Sequence, residues 1–283
     1  MTTHNRVAVT LRCLNALAAV ETDDDVELTV VLADAGSSDG TLKAVLEAHP
    51  DVVSISLTSD KYWAEGMRSA WEQAQSLDYD YILWLNDDVV LGRLALTTLL
   101  DTLDCGSHRA VAVGALVDPV TGEVTYSGFR QRSKLLRPLA LEPVLPDSEV
   151  MECDTLNGNV VLIPAEIDRE LGGFPHGYVH GMADLAYGFA ARRSGFPVLV
   201  HPDPVGLCSR NPVAGSWEDP GLRLNERFKT LAGPKGLPPR VWIRFCIRHG
   251  GIVGPLLAMS PYMRVLVTSL KYKFKNRRGG ERG

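Results

Sequence analysis

The fold turns on Tyr79-Asp80-Tyr81-Ile82-Leu83-Trp84-Leu85-Asn86-Asp87-Asp88-Val89-Val90-Leu91. Ile82 to Leu85 is an unbroken apolar run, the pattern of a strand buried on both faces. It stops abruptly at Asn86-Asp87-Asp88. Two adjacent carboxylates repel one another and gain little from packing. One reading is a polar turn that caps the next helix, since Asp and Asn favour such positions. The other is a set of oxygen ligands for Mg²⁺ or Mn²⁺, which in turn hold a diphosphate. Alone, the two readings balance; the surrounding sequence favours the metal.

Upstream, Val7, Leu11, Leu14 and Ala18 recur at helical spacing, with Asn5 as a candidate N-cap. Met1 to Arg6 is too short in apolar length for a strand, so the chain is expected to open on a loop. Leu28 to Ala33 reads as a strand. It runs into Asp34-Ala35-Gly36-Ser37-Ser38-Asp39-Gly40-Thr41 and then a helix over Leu42 to Ala48. Strand, acid, small-residue loop and helix form the crevice at the carboxyl end of a parallel sheet. Asp34 is placed to accept hydrogen bonds from a base or ribose, and Asp39 to cap the helix. Val52 to Leu57 is a third strand, followed by a helix from Trp63 to about Gln75. Trp63 is either core filling or, beside Gly66, a lid over a flat ring. Four alternations of strand and helix predict a mainly parallel sheet with helices on both faces.

The second half changes character. Ala110 to Leu116, Val160 to Ile163 and Val198 to Val200 read as strands. Tyr126 to Pro146 reads as an irregular hairpin or loop, and Pro202 to Pro220 as a long loop. Ala165 to Leu171 and Met182 to Ser194 read as helices. Asp184 falls in the first turn of the latter.

Composition bounds the function. The 283 residues are 45% hydrophobic and 22% charged, an ordinary globular balance. The net charge of -5 argues against a general nucleic-acid binder. From Arg240 onward there are ten Lys/Arg and one acid, a formal +9, which leaves -14 on the rest. That asymmetry points to an anionic surface, with a membrane headgroup layer as leading candidate. Trp242, Phe245 and Ile252 to Met259 alternate there with Arg240, Arg244, Arg248 and His249. Such a stretch lies in the headgroup layer, or else forms a helix pair packed on the body. Pro255, Pro261 and Arg264 interrupt the only candidate spanning segment. Five scattered cysteines without a Cys-x-x-Cys pair fit a reducing compartment. The expected location is cytoplasmic, peripheral on the inner membrane face.

The order of motifs resembles the family 2 glycosyltransferases of the GT-A fold, bacterial rhamnosyltransferase-like members in particular. Four segments carry the resemblance: Thr3-His4-Asn5-Arg6, Asp34 to Thr41, Leu85-Asn86-Asp87-Asp88, and Asp184 after Tyr178-Val179-His180-Gly181. It implies an α/β GT-A domain over residues 1–210, with a nucleotide-binding half (1–105) and an acceptor half (106–210). A basic helical extension (211–283) follows. The first strand is expected to be truncated. The implied reaction moves a sugar, with inversion, from a nucleotide diphosphate donor to a saccharide or lipid-linked hydroxyl acceptor. A Mn²⁺ or Mg²⁺ ion assists. Asp88 is the implied metal ligand and Asp184 the implied base. Thr3, Asn5, Arg6, Asp34, Trp63, Gly66, Asn86 and Asp87 are the implied nucleotide-sugar contacts, with Asn157 and Asn159 on the sugar side. Ala186 and Ala190 stand where the family often has an acid and an Arg. His201 is the nearest candidate for the downstream metal His. The short first strand and the two alanines keep open a catalytically impaired nucleotide-sugar-binding homologue. A nucleotidyltransferase would need a Gly-rich loop with a basic residue near the start, and none is present.

Overall fold

The computed structural model describes residues 1–23, 25–105 and 109–280, with side chains to Tyr272. The side chains of the basic tail from Lys273 lie outside the described residues. The first half alternates β1 (Thr2–Thr3), α1 (Val7–Ala18), β2 (Val31–Asp34), α2 (Thr41–Ala48), β3 (Val53–Ser56), α3 (Trp63–Ala74) and β4 (Tyr81–Leu85). Then come β5 (Val90–Leu91), α4 (Ala95–Cys105), β6 (Val111–Val113), β7 (Leu116–Val117), β8 (Val124–Tyr126), β9 (Phe129–Ser133) and β10 (Arg137–Pro143). The series continues with β11 (Met151–Cys153), β12 (Val160–Pro164), α5 (Ala165–Leu171), α6 (Ala183–Arg193), β13 (Val198–Val200) and β14 (Gly206–Leu207).

Strands β1, β2 and β3 form a parallel sheet, with Thr3 opposite Asp34 and Asp34 opposite Ser56. Met1 to Arg6 therefore does contain a strand, of two residues. Its threonines pair because β2 offers an unoccupied ladder edge, which no local apolar pattern reports. The second sheet is mixed, in the order β11-β13-β6-β12-β4. Only β6 and β13 pair in parallel there. The expectation of a mainly parallel sheet holds for β1, β2 and β3 and fails for this sheet, β4 included. The fully buried β12 inserts antiparallel between β6 and β4, with Val160 opposite Leu85 and Pro164 opposite Tyr81.

This insertion explains the burial of the deciding stretch. Tyr81 is exposed, whereas Trp84 and Leu85 are buried. The Trp84 ring packs against Phe174 at 4.8 Å and Tyr187 at 4.7 Å. The core beneath is aliphatic, from Leu14, Leu32, Leu99, Leu103 and Leu162 among others. A third sheet, β5-β14-β7-β8, takes its β14 from the Pro202 to Pro220 segment expected to be loop. Its β14 runs antiparallel to β5, with Leu207 opposite Val90. That pairing carries Cys208 back beside the acidic turn.

Gly66 has a packing role. It is buried in α3, and a Cβ there would overlap the Thr2 side chain. Close approach of α3 to β1 requires the glycine, so the expected place for Gly66 in a lid is corrected. Gly66→Ala is expected to destabilise the fold by about 1–3 kcal/mol, an overpacking cost, read as a lower urea midpoint with an unchanged slope.

Contacts divide the chain into residues 1–131 with 141–210, and residues 132–140 with those from Asn211 on. The second unit holds α7 (Leu224–Ala232), α8 (Pro239–His249), α9 (Gly254–Leu257) and α10 (Ser260–Gly280). Buried Arg227 ties it together. Its guanidinium donates to the Trp217 carbonyl at 2.9 Å and to Ser269 Oγ at 2.6 Å.

Candidate active site

The acidic turn after β4 faces two ways. Asn86 is held by α3 and by the turn before β12. Trp63 Nε1 donates to Asn86 Oδ1 at 2.6 Å, Asn86 Nδ2 donates to Asn159 Oδ1, and the Asn86 amide donates to the Asn159 carbonyl at 2.9 Å. The Asn86 carboxamide is thus fixed in orientation by Trp63 and Asn159. Trp63 is likewise a wall that fixes Asn86 and meets Phe174 edge-on at 5.8 Å, not a lid.

Asp87 and Asp88 face the other way, toward Arg6. One guanidinium nitrogen of Arg6 donates to Asp87 Oδ1 at 3.0 Å and to Asp88 Oδ2 at 3.1 Å. Asp87 is buried, and Thr10 Oγ1 reaches its other oxygen at 3.5 Å. Thr3, one turn of chain away, shares a 2.8 Å hydrogen bond with Thr10. Burial pushes the Asp87 carboxyl above its usual range, and Arg6 pulls it back only in part. Burial also disfavours the Arg6 charge, but Asp87 and Asp88 outweigh it and raise the Arg6 pKa. Asp88 keeps a quarter of its side chain open. Its other oxygen accepts a 3.7 Å hydrogen bond from the Cys208 thiol, whose pKa is pushed up to about 12 by burial and then by Asp88. The candidate metal His named from sequence is engaged locally. His201 Nδ1 accepts the Asp203 amide at 3.0 Å within its own turn.

The loop after β2 is tied to the loop after β1. Asp34 is buried, accepting from Ser37 Oγ and from the Ser37 amide at 3.1 Å. Asn5 does not cap α1. It adopts a left-handed φ of 51°, and its Oδ1 accepts the Ser38 amide at 2.7 Å. Asp39 caps as expected, taking the Thr41 amide at 3.0 Å, and it reaches the Val7 amide at 3.4 Å as well. One carboxylate therefore serves the starts of both α1 and α2. The Arg6 amide donates to Thr41 Oγ1 at 3.1 Å, so this loop positions the arginine that holds Asp87 and Asp88.

The third group comes from α6 and the turn before β12. Met182 takes a left-handed φ of 73° at the N-cap of α6, which aims Asp184 toward that turn. Asp184 Oδ2 accepts the Gly158 amide at 3.1 Å, and Oδ1 accepts the Leu185 amide at 2.9 Å. A Cβ on Gly158 would lie 2.8 Å from the Trp63 ring and 3.0 Å from Asp184 Cβ. Asn157 Oδ1 accepts the Asn159 amide at 3.1 Å, so both asparagines serve the turn itself. Burial raises the Asp184 pKa, and the two backbone donors offset only part of the rise.

The structure thus gathers Trp63, Asn86, Gly158, Asn159 and Asp184 on one side of the turn. It gathers Thr3, Thr10, Arg6, Asp87, Asp88 and Cys208 on the other. Cys208, Thr10 and Gly158 are additions to the sequence expectation. Among the described residues, no group of three His, Cys, Asp or Glu side chains has the spacing of a metal cage.

A family model, Glycosyl transferase family 2, matches residues 1–146, just over half of the chain. The chain belongs to glycosyl transferase family 2. It is 26% identical over 238 residues to an N-acetylglucosaminyl-diphospho-decaprenol L-rhamnosyltransferase of Mycobacterium tuberculosis, a match covering 76% of each chain. Among solved structures it is similar to the mannosyltransferase PcManGT from Pyrobaculum calidifontis, in complex with GDP-Man and Mn²⁺. The TM-score is 0.53 at 16% identity, over 99% of this chain and 78% of that one. S. aureus TarS 1-349 in complex with UDP-GlcNAc matches with a TM-score of 0.58 at 14% identity, over 98% and 90%. The fold of this family 2 glycosyltransferase is GT-A, as the resemblance implied.

Proposed function

We propose that this glycosyltransferase moves a sugar, with inversion, from a nucleotide diphosphate donor to a hydroxyl of a lipid-linked saccharide in cell-envelope synthesis. The observation that carries the reading is the two-sided acidic turn. Asn86 bonds Asn159, and Asp184 accepts the amide of the adjacent Gly158, while Asp88 stands on the other side with an open flank. Inversion follows from one displacement, in which the acceptor attacks opposite the departing diphosphate.

Asp184 is the base. It takes the proton of the acceptor hydroxyl as that oxygen attacks the anomeric carbon. Asp34 and the Asn5-Ser37-Ser38 loop hold the base and ribose through hydrogen bonds. Arg6 and Asp88 serve the diphosphate end. The donor set fits a divalent ion, because Asp87 and Asp88 are hard oxygen donors. Mg²⁺ and its like are commonly held by one or two carboxylates plus substrate phosphates. Mn²⁺ beside GDP-Man in PcManGT supports the same assignment. An ion held by Asp88 and Asp87 would supply charge neutralisation at the leaving diphosphate. The mycobacterial relative's name supports a polyprenyl diphosphate-linked acceptor and a rhamnosyl donor.

Arg6 gives this reading a specific consequence. It holds both carboxylates that a cation needs. Arg6→Gln is expected to tighten Mn²⁺ binding without nucleotide by about ten-fold, since roughly 1.4 kcal/mol of competition is a modest share of a paired charge. The bound fraction is read by electron paramagnetic resonance. The same variant is expected to lose about 1–2 kcal/mol of stability, because Asp87 stays buried without its partner.

The Arg6 bridge also favours the second reading, an impaired nucleotide-sugar binder. One assay separates the two: nucleotide diphosphate release from UDP-, GDP- and dTDP-sugars, with Mn²⁺ and a polyprenyl diphosphate-linked saccharide. Release with at least one donor supports transfer. Thermal stabilisation by a donor without release in any case supports the binder.

A further inference from the structure

The second unit carries an apolar surface that its own packing leaves uncovered. Inside the unit, Leu231, Phe245, Cys246, Ala258 and Val265 are buried. Trp242 Nε1 donates to the Ala258 carbonyl at 3.0 Å, which fixes α8 against α9. With the inward faces settled, the outward ones are apolar. Ile252 is fully exposed and Leu256 is 77% exposed. Met259, Met263 and Leu270 follow on and before α10 at i, i+4 and i+11, a single helical stripe, and all are more than half exposed. Ile247 on α8 is 61% exposed. A water-facing run of this kind marks an interaction site.

Charge selects the partner. Arg240, Arg244 and Arg248 recur at i, i+4 along α8, one position from the exposed isoleucines. From Arg227 to Gly280 the sequence holds twelve Lys/Arg and no Asp or Glu. A second copy of the chain would set these cations against their own kind. Anionic headgroups complement them, and the acyl boundary accepts the aliphatic stripe. Geometry selects the mode. Among the described residues no single helix is long and apolar enough to cross a bilayer. Gly251–Leu257 and Ser260–Tyr272 reach that hydropathy only together, across a 44° bend. A bent pair with one wet face lies along an interface.

We infer that residues 240–272 dock the protein on an anionic bilayer, with Ile252, Leu256, Met259 and Met263 below the headgroups and the α8 arginines at headgroup level. The inference stands on the second unit alone, so it does not depend on the proposed reaction. The test is flotation of the full chain with vesicles of phosphatidylcholine, or of phosphatidylcholine with roughly 30 mol% phosphatidylglycerol. Flotation is expected with the anionic vesicles and is expected to fall at least several-fold in high salt. The variant Ile252→Ser/Leu256→Ser/Met259→Ser is expected to partition about ten-fold less or weaker, with little change in melting temperature because these side chains are mostly exposed. Arg240→Gln/Arg244→Gln/Arg248→Gln is expected to lose the salt-sensitive part. No flotation at low salt overturns the inference, as does equal flotation of the serine variant. A vesicle-free dimer by light scattering that the serine variant abolishes also overturns it, since the face then belongs to a second copy. Nucleotide release with a water-soluble acceptor, measured in parallel, reports on the reaction separately.

Discussion

Asp184→Asn lowers the rate constant for sugar transfer by about 10³-fold while leaving donor binding within a factor of about two, the range expected for loss of a positioned base. Single-turnover release of the nucleotide diphosphate measures the first quantity and calorimetric titration of the donor the second. The amide keeps one oxygen, which serves only one of the Gly158 and Leu185 amides, and it turns its NH₂ toward the other, so the donor titration checks that the site is retained. Burial raises the Asp184 pKa, and a base works only when deprotonated. Transfer by the wild type therefore falls as pH drops through the raised value. The loss begins at a higher pH than an exposed aspartate would give. Stability moves in the opposite sense. The folded state holds the Asp184 proton more tightly than the unfolded chain, so this group costs stability as pH rises from the unfolded pKa through the folded one. Above the folded pKa the cost is complete. Asp184→Asn removes it but sets its NH₂ against one backbone donor, so the two effects on stability oppose each other. A variant that keeps a tenth of the transfer rate counts against Asp184 as base.

Asp88→Ala is expected to cost about 10²–10³-fold in transfer, the scale on which removing a charge-stabilising group at a leaving group acts. Its effect differs in kind from that of Asp184→Asn. The dependence on added Mn²⁺ disappears, and thermal stabilisation by a nucleotide diphosphate becomes the same with and without the ion. Fold stability changes little, because Asp88 is partly open and Asp87 keeps Arg6. Cys208 loses an acceptor at 3.7 Å, a weak bond whose loss is minor. Retention of Mn²⁺-dependent release by Asp88→Ala would move the cation away from the acidic turn.

Some of this was legible one element at a time. The apolar run through Leu85, the Asp34 to Thr41 loop and the start of α6 are recognisable from residue type and order alone. Asp39 caps Thr41 two residues away, as residue type alone implies. Reading failed where a residue's neighbour is distant. Gly66 looked like part of a pocket and proved to be a spacer against Thr2. Trp63 looked like a lid and proved to be the donor that fixes Asn86. Residues 202–220 looked like loop, yet Gly206 and Leu207 complete a sheet with β5 and β7.

By itself, then, the chain's residue pattern determined the α/β character, the family and the identity of Asp34, Asp87, Asp88 and Asp184 as residues in special places. Hydrophobic period, turn chemistry and motif order are local properties, and they survive without coordinates. Tertiary structure alone decided how those acids are used. Arg6 meets Asp87 and Asp88 across 81 and 82 residues, Cys208 meets Asp88 across 120, and Asp184 meets Gly158 across 26. Each pairing depends on strand order and on β12 inserting against the direction of β4. Strand order follows from the burial of whole faces, a sum over the fold that no short window of sequence contains.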